Sequence, residues 1–246
     1  MTDAYRFDES STEKAIAYAK IYAGTNYSPA METVLKVAFS EKRNLPTFRL
    51  KSSDTILLSG YMKKWVGAYL AGYNNRPSVR TGNCSGTHPD PMAKTILRAR
   101  IPGLENNLAD KIVAGHSLLM TIENNIGELL EEYLAVKLSP LGWYCCWGST
   151  IDAVDFCKAD GSLLQIKTSD NSENSSSSRV RQGTPIEKWF RRFLRRPGVY
   201  NWESLNRMLG RPGYVSESDF RAFAEKTIAA NPACIYIAAN HLLNRH

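Results

Sequence analysis

Four residues of this chain could together do hydrolytic chemistry on a phosphate: Asp152, Asp155, Gln165 and Lys167, all within IDAVDFCKADGSLLQIK at 151–167. A hard divalent cation such as Mg2+ takes oxygen ligands from one or two carboxylates and from a phosphate. Bound there, it polarises the phosphoryl oxygen and lowers the pKa of a water, while a lysine can position or deprotonate that water or stabilise the developing charge. The alternative is a surface hairpin with ordinary charged ends.

The spacing predicts how these residues are positioned. Apolar runs at 151–157 and 162–166 flank Lys158-Ala159-Asp160-Gly161, and an Asp-Gly pair between apolar runs signals a hairpin. Asp152 is then expected to begin one strand and Lys167 to end its neighbour, and the two-residue period puts Gln165 and Lys167 on one face. Asp155, three residues from Asp152, should point to the opposite face unless a bulge intervenes. Asp152 is therefore the favoured primary carboxylate.

The segment resembles the core of the PD-(D/E)XK nuclease superfamily, and the run after the lysine, Thr168-Ser169-Asp170-Asn171-Ser172-Glu173-Asn174 followed by four serines, resembles the polar loop of SinI-like type II restriction endonucleases. The resemblance covers 121–202. It assigns Asp152 to the first acidic position, Gln165 to the second, Lys167 to the lysine, and Glu131 of the run 126–134 to the glutamate of the preceding helix. Gln165 departs from the family pattern, because an amide oxygen coordinates a cation without charge; Asp155, Glu131 and Glu173 could compensate. The resemblance implies Mg2+ held by Asp152, Gln165 and Glu131, double-stranded DNA as substrate, a homodimer cutting a short palindromic site, and a site of the form GG(A/T)CC. A repair or junction-resolving nuclease, or an inert DNA-binding protein with a decayed site, are the alternatives.

Charge agrees with a polyanionic partner. The chain of 246 residues has 31 Lys+Arg against 24 Asp+Glu, a formal net charge of +7, and the window 179–211 alone supplies that excess. Within it, Pro185 is expected to open a helix with Ile186, Trp189, Phe190, Phe193 and Leu194 on a core face. Arg191, Arg192, Arg195 and Arg196 would then line the other face against phosphates, since unpaired arginines on a helix repel one another. Lys188 belongs to the same basic surface. In the polar loop, Ser169, Asn171, Asn174, Arg179, Arg181 and Gln182 are candidates for backbone or base contacts.

The remaining pattern gives an α/β chain with a restriction-endonuclease-like mixed central sheet flanked by helices. Its 43% hydrophobic content can fill a sizeable core. A mainly helical N-terminal subdomain is expected over 1–103 and a nuclease core over 104–246. Helices are predicted from Ser11 or Thr12 to Gly24, from Pro29 behind Ser28, and over 56–73; an irregular loop follows at 78–91. A helix over 104–138 with a break near Gly115, strands from Trp143, a helix from Ser216 to Ala229 and a returning strand at 233–238 complete the pattern. Five cysteines without a C-x-x-C pair suggest neither disulfides nor a zinc site, so a reducing environment is expected, and Cys84 with His88 lacks the second pair a zinc site needs. His116, His241, His246 and Ser149 lie near no nucleophile motif. No signal peptide or membrane span is read, and a cytoplasmic protein is expected.

Overall fold

The computed structural model describes residues 11–48, 57–82, 89–170 and 186–237. Three helices open it: α1 (Thr12–Ala23), α2 (Pro29–Ser40) and α3 (Leu58–Asn74). Ser28 caps α2 by accepting the Met31 N–H, and Pro29 fills the first helical position, where a missing N–H costs nothing. α2 buries Met31, Val34, Leu35 and Ala38, the spacing of one helical face. Trp65 of α3 is fully buried and donates its indole N–H to the Thr150 carbonyl at 2.9 Å, tying the N-terminal helices to the sheet.

Next come α4 (Met92–Arg100) and α5 (Asn106–Leu138), an unbroken helix of 33 residues. The break expected at Gly115 does not occur. One glycine costs about 1 kcal/mol in a helix, too little by itself to interrupt a helix of 33 residues. Among the described residues no helix is long and apolar enough to cross a membrane.

The sheet has the order β1 (Trp143–Cys145), β2 (Phe156–Lys158), β3 (Leu163–Ser169), β4 (Ile186–Arg192), with the first two pairings antiparallel and β3–β4 parallel. The Asp-Gly signal is realised between β2 and β3: Gly161 takes φ +89°, and Lys158 N–H donates to the Ser162 carbonyl at 3.0 Å. The first strand begins at Phe156 rather than at Ile151. Residues 151–153 form a turn in which Ala153 is left-handed at φ +60°.

β4 replaces the helix expected behind Pro185. Apolar residues at 186, 189, 190, 193 and 194 satisfy a helical period, but a short run of that kind also fits a strand, and β3 offers an open edge to pair with. Trp189 and Arg191 are buried and Lys188 and Arg192 exposed, the alternation of a strand. The arginines therefore do not form one helical face.

After β4 come α6 (Trp202–Met208) and α7 (Glu217–Ala230). Ser216 caps α7, accepting the Asp219 N–H at 3.1 Å, as the sequence pattern predicts. The returning strand at 233–238 is absent from the described part. A short 3-10 turn, Pro232–Cys234, stands there, and Gly82 N–H donates to the Ala233 carbonyl at 2.7 Å, so the segment pairs with a loop and not with the sheet. One contiguous buried cluster runs from Ala15 of α1 through β1–β4 to Phe220 of α7.

Gly72 of α3 and Gly148 of the turn after β1 meet backbone to backbone. A Cβ at Gly72 would fall inside the Gly148 main chain, and Gly148 itself holds φ +69° with the Ala68 carbonyl against it. Gly72→Ala is expected to cost about 3 kcal/mol by forcing α3 off the turn, read as a lower midpoint in urea at unchanged slope. An unchanged midpoint would contradict this close approach.

Candidate active site

The site is assembled just before β2 begins, where β3 runs on past it. The Leu164 carbonyl, opposite Phe156 in the register, also accepts the Asp155 N–H at 3.0 Å, so that two residues stand against one, as in a β-bulge. Bulges re-aim side chains, and this one turns the Asp155 carboxylate to the Ile166 N–H, which it accepts at 2.7 Å. The next residue on β3 is Lys167, whose charge acts on Asp155.

Across from Asp155 lies Glu131 of α5. Of the three glutamates on that turn of helix, Glu128 pairs with Arg80, and Glu132 accepts the Ser78 N–H at 3.0 Å and the Ser78 hydroxyl. Glu131 instead accepts the Cys145 thiol at 3.3 Å and feels the charge of Asp155. Burial, then the neighbouring Asp155 charge, push the Glu131 carboxyl up to about 7. Burial likewise raises Asp155 to about 6, against the opposing pull of the Ile166 N–H and Lys167. The Lys167 ammonium is pushed down by burial and by Lys188, with Asp155 opposing.

Asp152 occupies a different place. It is exposed in the 151–153 turn, its N–H donating to the Asn44 carbonyl at 3.0 Å. The carboxylate that the fold delivers beside Lys167 and Glu131 is Asp155, and the bulge is the physical reason the two-residue period pointed to the other aspartate. Gln165 is half-buried, shares a sheet face with Lys167, and stands opposite Lys188 in the register.

Among the described residues no group of three His, Cys, Asp or Glu is gathered closely enough to hold a metal ion. The donor set nevertheless fits Mg2+, which commonly takes only one or two carboxylates and leaves its other positions to water and phosphate. The charge of Asp155 raises the proton affinity of Glu131, and a divalent cation held by both carboxylates would relieve that repulsion.

This arrangement has a stability signature. Both carboxyls are held above their ordinary range, so the stability they contribute is fully present below about pH 4 and is lost as pH rises through about 6 to 7. The metal-free protein is expected to lose several degrees of Tm between pH 5 and pH 8, and Mg2+ to raise Tm more at pH 8 than at pH 5. Glu131→Gln should flatten both trends; a wild-type Tm that does not fall with pH would contradict the paired burial.

The basic residues divide by strand face. Ser169 stands opposite Arg192 in the register and Lys167 opposite Phe190, so that Gln165, Lys167, Ser169, Lys188, Phe190 and Arg192 share one side. Arg191 lies on the other side, paired with Glu217 at 2.8 Å and 2.9 Å. Arg195 and Arg196 are exposed in the turn beyond β4, the Arg196 guanidinium 3.8 Å over the Phe193 ring. Asn171, Asn174, Arg179, Arg181 and Gln182 lie outside the described residues. A cleft of about 860 Å3 runs past Lys167, Ser169, Arg192 and Tyr200 on one wall and Glu123, Asn124 and Ile126 of α5 on the other. Glu123 and Asn124 carry no motif that marks them in the sequence; only the length of α5 brings them here.

A mixed sheet backed by helices, with a carboxylate and a lysine where adjacent strands part and a second carboxylate facing them from a helix, resembles the nuclease cores of the PD-(D/E)XK class. The model of the SinI restriction endonuclease family matches residues 59–230, from the first turn of α3 to the end of α7, and the chain belongs to that family. It is 44% identical over 144 residues to the type II restriction enzyme SinI of Salmonella infantis and 41% identical over 144 residues to the type II restriction enzyme Eco47I of Escherichia coli. Each match covers 56% of this chain and 61% of the relative, so the chain spans about three fifths of the length of the curated relatives it matches.

Proposed function

We propose that the chain is a type II restriction endonuclease that uses Mg2+ to hydrolyse phosphodiester bonds in double-stranded DNA at a short palindromic site, acting as a homodimer in the cytoplasm. The observation that carries this reading is the meeting of Glu131, Asp155 and Lys167 beside a basic cleft, in a chain of the SinI family. Asp155 and Glu131 would hold the cation, with the Gln165 amide oxygen as an uncharged further donor. When bound, Mg2+ supplies the charge that polarises the phosphoryl group and acidifies a water.

The protein's own part is orientation and proton handling. Lys167, lowered by burial and by Lys188, is suited to donate from its ammonium to the phosphoryl oxygens or, as the neutral amine, to take a proton from the attacking water. Water adds to phosphorus, the bond to the leaving oxygen breaks, and that oxygen takes a proton. Ser169, Lys188, Arg192 and Arg195 contact the backbone, while Asn171, Asn174, Arg179, Arg181 and Gln182 are proposed to reach the duplex from the polar loop. A two-fold symmetric site calls for two copies, one for each strand. Likeness to the family points to GG(A/T)CC.

Digestion of plasmid DNA with Mg2+ tests the reading. Discrete fragments, lost in Lys167→Ala, are expected. Smearing or cutting restricted to branched DNA would replace restriction with a repair or junction-resolving activity, and binding without any cleavage would make Gln165 the mark of a decayed site.

A further inference from the structure

We propose that Cys145 is a positioning residue whose thiol holds the Glu131 carboxylate in its place beside Asp155; the inference rests on the nuclease reading above. Cys145 ends β1, is 5% exposed, and its Sγ lies 3.3 Å from Glu131 Oε1. Its register partner is Phe156, the residue after Asp155, so β1 and β2 deliver the thiol and the Asp155 carboxylate to the same glutamate from adjacent strands.

The chemistry of this hydrogen bond suits a ligand that must stay available. An Arg or Lys at this position would neutralise Glu131 and compete with a cation for its oxygens. A thiol is a weak donor and otherwise behaves as a small apolar side chain, so it fixes one oxygen while leaving the carboxylate its charge. Nothing in the sequence marks this cysteine: it sits in WYCC with no spacing motif, and only the pairing of β1 with β2 places it against α5.

If Cys145 is merely a filler of the core, Ala and Ser in its place should behave alike, or Ser should be the worse for its buried hydroxyl. If it positions Glu131, the hydroxyl should rescue what the methyl loses. The test is Mn2+ binding to the metal-free full chain without DNA, followed by the electron paramagnetic resonance signal of free Mn2+, on wild type, Cys145→Ala and Cys145→Ser, with Tm recorded for each. Cys145→Ala is expected to bind Mn2+ about tenfold more weakly, the usual effect of removing a side chain that orients a metal ligand. Cys145→Ser should lie within about threefold of wild type on the same scale, at comparable Tm. Equal affinities for wild type and Cys145→Ala, or equal losses in both variants, would overturn the inference. Failure of the underlying reading looks different: wild type itself would take up no Mn2+, or Glu131→Gln would bind as well as wild type.

Discussion

Asp155→Ala is expected to lower DNA cleavage by on the order of a thousandfold, equivalent to about 4 kcal/mol of transition-state stabilisation, while Asp152→Ala should cost less than about tenfold. The contrast follows from the bulge. Asp155 is delivered to the Ile166 N–H, to Lys167 and to Glu131, whereas Asp152 is exposed in the preceding turn. Both variants should fold, since Asp155 is a half-buried carboxyl held above its ordinary range and its removal relieves repulsion with Glu131. DNA binding without metal should persist in both. Single-turnover cleavage of a short duplex, with binding measured beside it, checks the pair; loss of cleavage in Asp152→Ala with retention in Asp155→Ala would reverse the assignment.

Arg191→Ala is expected to destabilise the protein by about 3 kcal/mol, or a fall in Tm on the order of 10 °C at this chain length. Arg191 is 10% exposed at its side chain and bonds both oxygens of Glu217. It also packs against the rings of Tyr200 and Phe220. Glu217 keeps the Trp202 indole N–H at 3.0 Å and Arg221 at 3.1 Å, which places the cost at the lower end for a broken buried pair. Its neighbour Arg192, exposed on the opposite face, should behave in the converse way. Arg192→Ala together with Arg195→Ala should leave Tm near wild type, weaken DNA binding about equally on all sequences, and flatten its salt dependence by about one unit of slope for each phosphate no longer neutralised. A stable Arg191→Ala that binds DNA poorly would restore the single arginine face that helical spacing suggests.

The sequence and the structure part company at points with physical causes. The turn at Lys158 to Gly161 is legible because φ +89° at Gly161 is a local demand that an Asp-Gly pair meets. Lys167 and Glu131 are legible because β3 and α5 are regular and their periods carry a side chain to a known side. Asp155 is not, because a bulge adds a residue without a residue type to announce it; the connection before it holds Ser149 at φ +55° and Ala153 at φ +60°, and neither serine nor alanine encodes such a bend. β4 differs from the expectation because Ile186, Trp189, Phe190 and Phe193 fit a helical period, while in a strand they divide between its two faces, and the pairing with β3 makes the choice. Cys145 is invisible for a third reason. Its role depends wholly on which strand lies beside Asp155.

Mn2+ in place of Mg2+, located by its anomalous scattering in crystals of the wild-type chain, tests the central claim most directly. A peak bridging Asp155 and Glu131, within about 2.5 Å of an oxygen of each, is the predicted result. A peak on Asp152 with none between Asp155 and Glu131 would contradict it.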